Sequence, residues 1–192
     1  MKKVTMFLLV ALFLVSGLFA QENKFTVSAV GGYAMSAFED QDDAAGALPV
    51  GVLVGYKLKP NLVVGGELNM ALGGFSWELE QAGYKITSTA NQTLIGAFGK
   101  YYFSEGQYVP YGKVGVGMYT GDGEAKVEYQ GQSQKETIKI DSAIGFNVGG
   151  GVLLPDKGIF AEFVYHIVSR EASGESGGMN YWAIQVGYQI IR

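Results

Sequence analysis

From Trp182 onward every second residue is large and apolar: Trp182, Ile184, Val186, Tyr188 and Ile190, with Ala183, Gln185, Gly187 and Gln189 between them. A repeat of two is the period of a β-strand, whose successive side chains point to opposite faces. The same two-faced pattern recurs over about 25–36, 48–59, 62–73, 92–103, 109–120, 138–154 and 158–169. Lipid offers no partner for an open strand edge, so strands cross a membrane only as a closed ring.

The first residues carry an export signal. Lys2 and Lys3 form a basic start, Met6 to Val15 is an unbroken apolar core, and Gly17-Leu18-Phe19-Ala20 offers a small residue for cleavage. The apolar run is shorter than the roughly 18 residues a membrane helix needs, so a secretory signal over 1–20 and a mature chain over 21–192 are expected. No cysteine lies near the cleavage point, which removes a lipoprotein.

Composition excludes several classes. Charged residues are 17% of the chain, and 29 of 192 residues are glycine; soluble domains carry about 25% and about 7%. Taking Lys2 and Lys3 from 14 basic residues leaves 12 against 18 acidic ones, a mature formal charge of −6 without a basic cluster. That argues against nucleic acid as a partner. With no cysteine and one histidine, His166, neither a disulfide scaffold nor a multi-histidine metal centre can form. No cofactor is expected.

Connections alternate in length. Lys59-Pro60-Asn61, Ser104 to Tyr108 and Pro155-Asp156-Lys157 are short; 37–47, 74–91, 121–137 and 170–180 are long. Short periplasmic turns and long extracellular loops are the asymmetry of outer-membrane barrels. One face of the strands is apolar throughout, with Val50, Val52 and Val54 in the second and Ile140, Ile144, Phe146 and Val148 in the sixth. The other face holds glycines, Thr26, Ser28, Asn69, Asn147 and the few charges. A soluble sandwich or lipocalin-like barrel also has one apolar face. Small residues on the polar face suit a narrow interior. Phe25, Tyr56, Tyr101, Phe103, Tyr108 and Tyr188 gather near the short turns as an interfacial girdle does. The reading is an all-β, eight-stranded antiparallel up-and-down transmembrane β-barrel.

Gly99-Lys100-Tyr101-Tyr102-Phe103, Val109-Pro110-Tyr111 to Gly117, and Phe160 to His166 resemble the porin-family outer-membrane β-barrel domain. Trp182 with Val186-Gly187-Tyr188 is similar to the closing strand of small OmpA/OmpX-type barrels. The resemblance implies export through the Sec pathway, residence in the cell outer membrane, contact with lipopolysaccharide, and insertion by the barrel-assembly machinery. Such chains usually end in an aromatic residue, whereas this one ends Gln189-Ile190-Ile191-Arg192.

Lys57, Glu67, Lys100, Lys113 and Glu162 fall on the polar face. Lys100 and Lys113 are expected almost opposite each other, with Glu162 and Glu67 supplying the carboxylates between them. An eight-stranded barrel is just wide enough for side chains to fill, so these residues and His166 form a plugging polar network. His166 with Ser169 and Glu162 or Glu171 invites comparison with the lipid A deacylase. The spacing here is His-x-x-Ser, which puts the two on opposite strand faces. Glu39-Asp40-Gln41-Asp42-Asp43 lacks the glycine and distal glutamate of a calcium loop, leaving divalent bridging to lipopolysaccharide as an alternative to a solvated loop. Gly115-Val116-Gly117 and Gly149-Gly150-Gly151 precede no helix and are not phosphate loops.

Trp77, Leu79, Tyr84 and Ile86, then Val127, Tyr129, Ile138 and Ile140, keep a strand rhythm inside the two middle loops. Strands three to six therefore extend as protruding hairpins, with Trp77, Tyr84 and Tyr129 as candidate contacts for an extracellular protein. The expected function is a non-enzymatic, monomeric outer-membrane protein with a structural or surface-interaction role. The alternative is a narrow porin-like channel for ions or small solutes.

Overall fold

The computed structural model describes residues 24–37, 46–81, 84–129, 132–172 and 175–191. The expected export signal and the acidic run Glu39–Asp43 lie outside them. Nine antiparallel strands follow in order: β1 (Phe25–Ser36), β2 (Leu48–Lys59), β3 (Leu62–Gln81), β4 (Tyr84–Tyr102), β5 (Val109–Tyr129), β6 (Gln132–Leu154), β7 (Ile159–Ala172), β8 (Glu175–Gly178) and β9 (Tyr181–Ile191). Each of β1 to β6 pairs with the next, and β6 pairs with β7. β9 pairs with both β7 and β1, which closes a ring of eight. β8 folds back on the last residues of β7 and stands outside the ring.

The alternation in sequence becomes an outer wall and an inner filling. Val52, Leu68, Ile95, Met118 and Ile144 are successive register partners from β2 to β6, all exposed, and form one rung of an apolar belt. Water would leave this belt costly at about 25 cal/mol per Å²; hydrocarbon removes the cost. The start of β1 at Phe25 and the end of β9 at Ile191 lie at the same end as the three short turns. The last turn closes through Gly158, whose φ of 67° suits glycine and whose N–H donates to the Leu154 carbonyl at 2.8 Å.

Two apolar layers fill the lumen. Phe98, Val109, Tyr111, Leu153 and Phe160 belong to the layer reaching toward the short turns. Phe75, Leu94, Tyr119, Val168 and Tyr181 belong to the layer below the long connections. Glycines make room for the larger rings: a Cβ on Gly145 would lie 2.7 Å from the Tyr119 ring, and one on Gly151 2.7 Å from the Tyr111 hydroxyl.

Two expectations change. The segments 74–91 and 121–137 are continuous strand, apart from 82–83 and 130–131, which lie outside the described residues. They are not two separate hairpins, because β4 stays paired with β5 from Ala90↔Gly123 up to Tyr84↔Tyr129. A single four-stranded sheet therefore rises from one side of the ring. Second, Ile140 does not share a face with Ile144. The β5–β6 register shifts between Tyr119 and Gly121, setting Ile140 opposite Gly121 while Ile144 stays opposite Met118. A one-residue shift exchanges the two faces of a strand, so Ile140 continues the lumen side.

Candidate functional site

Parity brings four charges together at the middle of the lumen. Glu67 on β3, Lys100 on β4, Lys113 on β5 and Glu162 on β7 all point inward and are buried. Lys100 donates from Nζ to Glu162 Oε2 at 2.8 Å, and the Tyr111 hydroxyl donates to the same oxygen at 2.8 Å. Lys113 donates to Glu67 Oε2 at 2.8 Å and stands 3.6 Å from Glu162 Oε1. Glu67 also accepts from Asn147 at 2.9 Å and from Asn69 at 3.3 Å. The Lys100 ammonium lies 4.4 Å from the Phe160 ring centre and 4.6 Å from that of Tyr111, positions in which ring faces attract a cation. Two cations and two carboxylates thus share one desolvated cluster, in which each charge is tolerated only through its neighbours.

His166 sits on the outer side of this cluster. Its Nδ1 is 3.0 Å from the Tyr119 hydroxyl, and its ring stacks on Tyr181 at 4.1 Å and 5°. Ser169 is exposed while His166 is buried, so the two lie on opposite faces of β7 and cannot act as a base and nucleophile pair.

Lys57 does not join the cluster. It lines a cavity of about 460 Å³ at the short-turn mouth, together with Thr26, Tyr102, Glu105, Leu153 and Gln189. The aromatic residues near the short turns form pairs and single rings around the wall. Phe25 meets Tyr56 edge-on at 5.1 Å, Tyr101 meets Phe103 at 5.5 Å, and Tyr108 and Tyr188 stand exposed.

The raised sheet has two unlike faces. On the side that continues the outer wall, ion pairs cross or follow the strands: Glu78 with Lys85 at 2.8 Å, Glu124 with Lys135 at 2.5 Å, and Glu128 with Lys126. The hydrogen bond to Glu78 raises the Lys85 pKa, and the hydrogen bond from Lys126 lowers that of Glu128. The side that continues the lumen carries Ile86, Ala125, Val127 and the exposed Tyr129, with Gln132, Gln134 and Glu136 of β6 beside them as register partners. Trp77 pairs with Ser88, and Tyr84 with Tyr129, along the backbone; the side chains of Trp77 and Tyr84 lie outside the described residues.

Several residues of the cluster escape a reading by charge alone. Tyr111 and Tyr119 share the parity of Lys113, and that shared parity was the available signal. Tyr181 shares the inward parity of Ala183 and Gln185 in β9, but nothing local in the sequence sets it against His166.

The fold has known counterparts. A crystal structure of Neisserial surface protein A superposes with a TM-score of 0.56 at 15% identity, covering 88% of this chain and 97% of that one. Ail, the attachment invasion locus protein of Yersinia pestis, is similar at a TM-score of 0.48 and 16% identity, over 88% of this chain and 100% of that one. The outer membrane protein OprG of Pseudomonas aeruginosa is similar at 0.45 and 14%, over 88% and 98%. At these identities the likeness is one of fold. No curated protein matches the chain in sequence. The model of a family described as the outer membrane protein beta-barrel domain matches residues 5–189. Its span takes in every strand of the ring except the last two residues of β9, and the apolar belt gives that ring its lipid-facing wall. The chain is therefore an outer-membrane protein and belongs to the outer membrane protein beta-barrel domain family.

Proposed function

We propose that this is a non-enzymatic surface-interaction protein whose working part is the raised sheet of β3 to β6. One observation carries the reading: the sheet runs past the ring with two lateral edges. β2 pairs with β3 only up to Leu72, and β7 pairs with β6 only from Gly145. Among the described residues, Phe75–Gln81 and 132–140 therefore have no strand on their outer sides. An edge of this kind presents backbone donors and acceptors to any extended segment, and side chains on alternate positions supply selectivity. The ligand class is an extracellular protein offering an extended strand. Ions packed across the middle of the lumen support this reading over the narrow channel.

Binding of surface-exposed or host proteins to cells displaying the full chain is expected to fall when 76–88 or 125–136 is deleted, with the ring still assembled by heat-modifiable gel mobility. Unchanged binding by both deletions would overturn the reading. Steady conductance in planar bilayers would favour the channel instead.

A further inference from the structure

The outer layer of the lumen contains a polar site with nothing to bond to. Gln92 on β4 is 3% exposed, yet among the described residues neither its Nε2 nor its Oε1 has a hydrogen-bond partner. The Ser36 Oγ is likewise buried and unpartnered. Both line a crevice closed by Phe75, Met179, Asn180 and Tyr181, which is too narrow to admit a water molecule. A buried carboxamide is normally satisfied by protein or by a water with room to sit. Here the closed arrangement denies it both.

Of the residues that close the crevice, Phe75 stands on an unusual backbone. Phe75 is 2% exposed and packs on Tyr181 with ring centres 5.1 Å apart. It follows directly on Gly73 and Gly74, whose φ angles of 81° and 66° form a bulge of two extra residues against β4. The bulge holds Phe75 over the mouth, opposite Ala90 and one inward-facing position above Gln92. Among the described residues a Cβ on Gly73 would meet nothing within 4 Å, whereas one on Gly74 would lie 2.6 Å from the Thr89 methyl, so the open space is on the Gly73 side of the bulge.

We propose that Gln92 and Ser36 form a cryptic binding site for a small neutral amide, entered from outside when Phe75 swings away on the Gly73–Gly74 bulge. The ligand class follows from the orphaned atoms. A carboxamide is complemented by another carboxamide, through two parallel N–H···O bonds, and the Ser36 hydroxyl adds a third contact. Among the described residues no charged side chain lines the crevice, so an ion of similar size would enter without a counter-charge from them. The unsatisfied amide favours opening, because outside the closed state it can bond to water or ligand. This site lies outward of the ion cluster and does not rest on partner binding by the raised sheet, although Phe75 is also the first residue of the open β3 edge.

The test uses the mature chain in lipid nanodiscs, titrated with acetamide and followed by NMR of the Gln92 side-chain amide. Wild-type protein is expected to give a saturable shift that acetate does not reproduce. In Phe75→Ala the half-saturating concentration should fall by about tenfold, since affinity for a hidden site is reduced by the fraction of open molecules. Gln92→Leu should abolish saturation read at the Asn180 side chain. Phe75→Leu, which keeps the cap apolar, gives an intermediate value and serves if the alanine variant does not assemble. A non-saturating drift in the wild type, or half-saturation unmoved by both Phe75 variants, overturns the proposal.

Discussion

Lys100 and Lys113 are register partners across β4 and β5, two ammonium groups side by side in the lumen, and Glu162 on β7 reaches both. Like charges directly opposite on neighbouring strands repel. Their coexistence rests on a carboxylate delivered from across the ring.

Glu162→Ala should consequently be among the most damaging single changes in the chain. It leaves Lys100 without its carboxylate and Lys113 with only Glu67, a loss of roughly 3–5 kcal/mol for a broken buried pair. The midpoint of urea unfolding in lipid vesicles, read from the folded and unfolded gel bands, measures it. The double variant Lys100→Met with Glu162→Leu should be less destabilised than the sum of its parts.

Gly151→Ala should act on the same cluster without touching a charge. Gly151 is the register partner of Glu162, and its new methyl would lie 2.3 Å from the Ala161 carbonyl oxygen and 2.7 Å from the Tyr111 hydroxyl. The β7 backbone must then shift and Tyr111 withdraw from Glu162, at about 1–3 kcal/mol for overpacking. The same unfolding midpoint should fall, and Tyr111→Phe should recover part of the loss.

Phe146 stands exposed on the outer wall. Phe146→Lys should cost about 2–4 kcal/mol in vesicles, as a lysine near mid-depth does. Asn147→Ala, one residue away, should instead weaken the Glu67 cluster while leaving the lipid face untouched. Equal sensitivity of both variants to bilayer thickness would contradict the assigned faces.

Acid should loosen the outer face of the raised sheet. The Glu128 pKa is held down by Lys126, so its pairing is present above the ordinary carboxylate range and is lost as pH falls through the lowered value. The Lys85 pKa is raised by Glu78, so its pairing is complete below the ordinary lysine range and is lost as pH rises through the raised value. Carbon-detected titration of Glu128 should give a midpoint below that of an unpaired glutamate, moving up in Lys126→Ala and in high salt.

The ring was largely readable because lipid enforces a strict period on every strand it touches. Val52, Leu68 and Ile95 announce their face without any knowledge of their neighbours. Inward positions are less periodic, but Lys113 marked the parity that Tyr111 and Tyr119 share. What could not be read was long-range or depended on an interruption of the period. Nothing local in 84–90 or 123–129 says that the two segments pair with each other. The shift near Gly121 moved Ile140 to the opposite side, since a bulge leaves no hydrophobic signature of its own. Phe75 fell inside the long connection 74–91, and its place beside Tyr181 follows two glycines whose dihedrals are set by the fold.

The height of the wall is uneven around the ring. At about 3.3 Å per residue, the strand from Tyr84 to Ala90 runs some 20 Å beyond the ring on the β3–β6 flank, whereas on the other flank the described β7 and β8 run on together only from Ser169↔Gly178 to Ala172↔Glu175. Seen from outside the cell, the molecule has a front and a back. A visitor on the inward side meets Ile86, Val127 and Tyr129 set among Gln134 and Glu136, and one arriving from behind meets a screen of alternating ions.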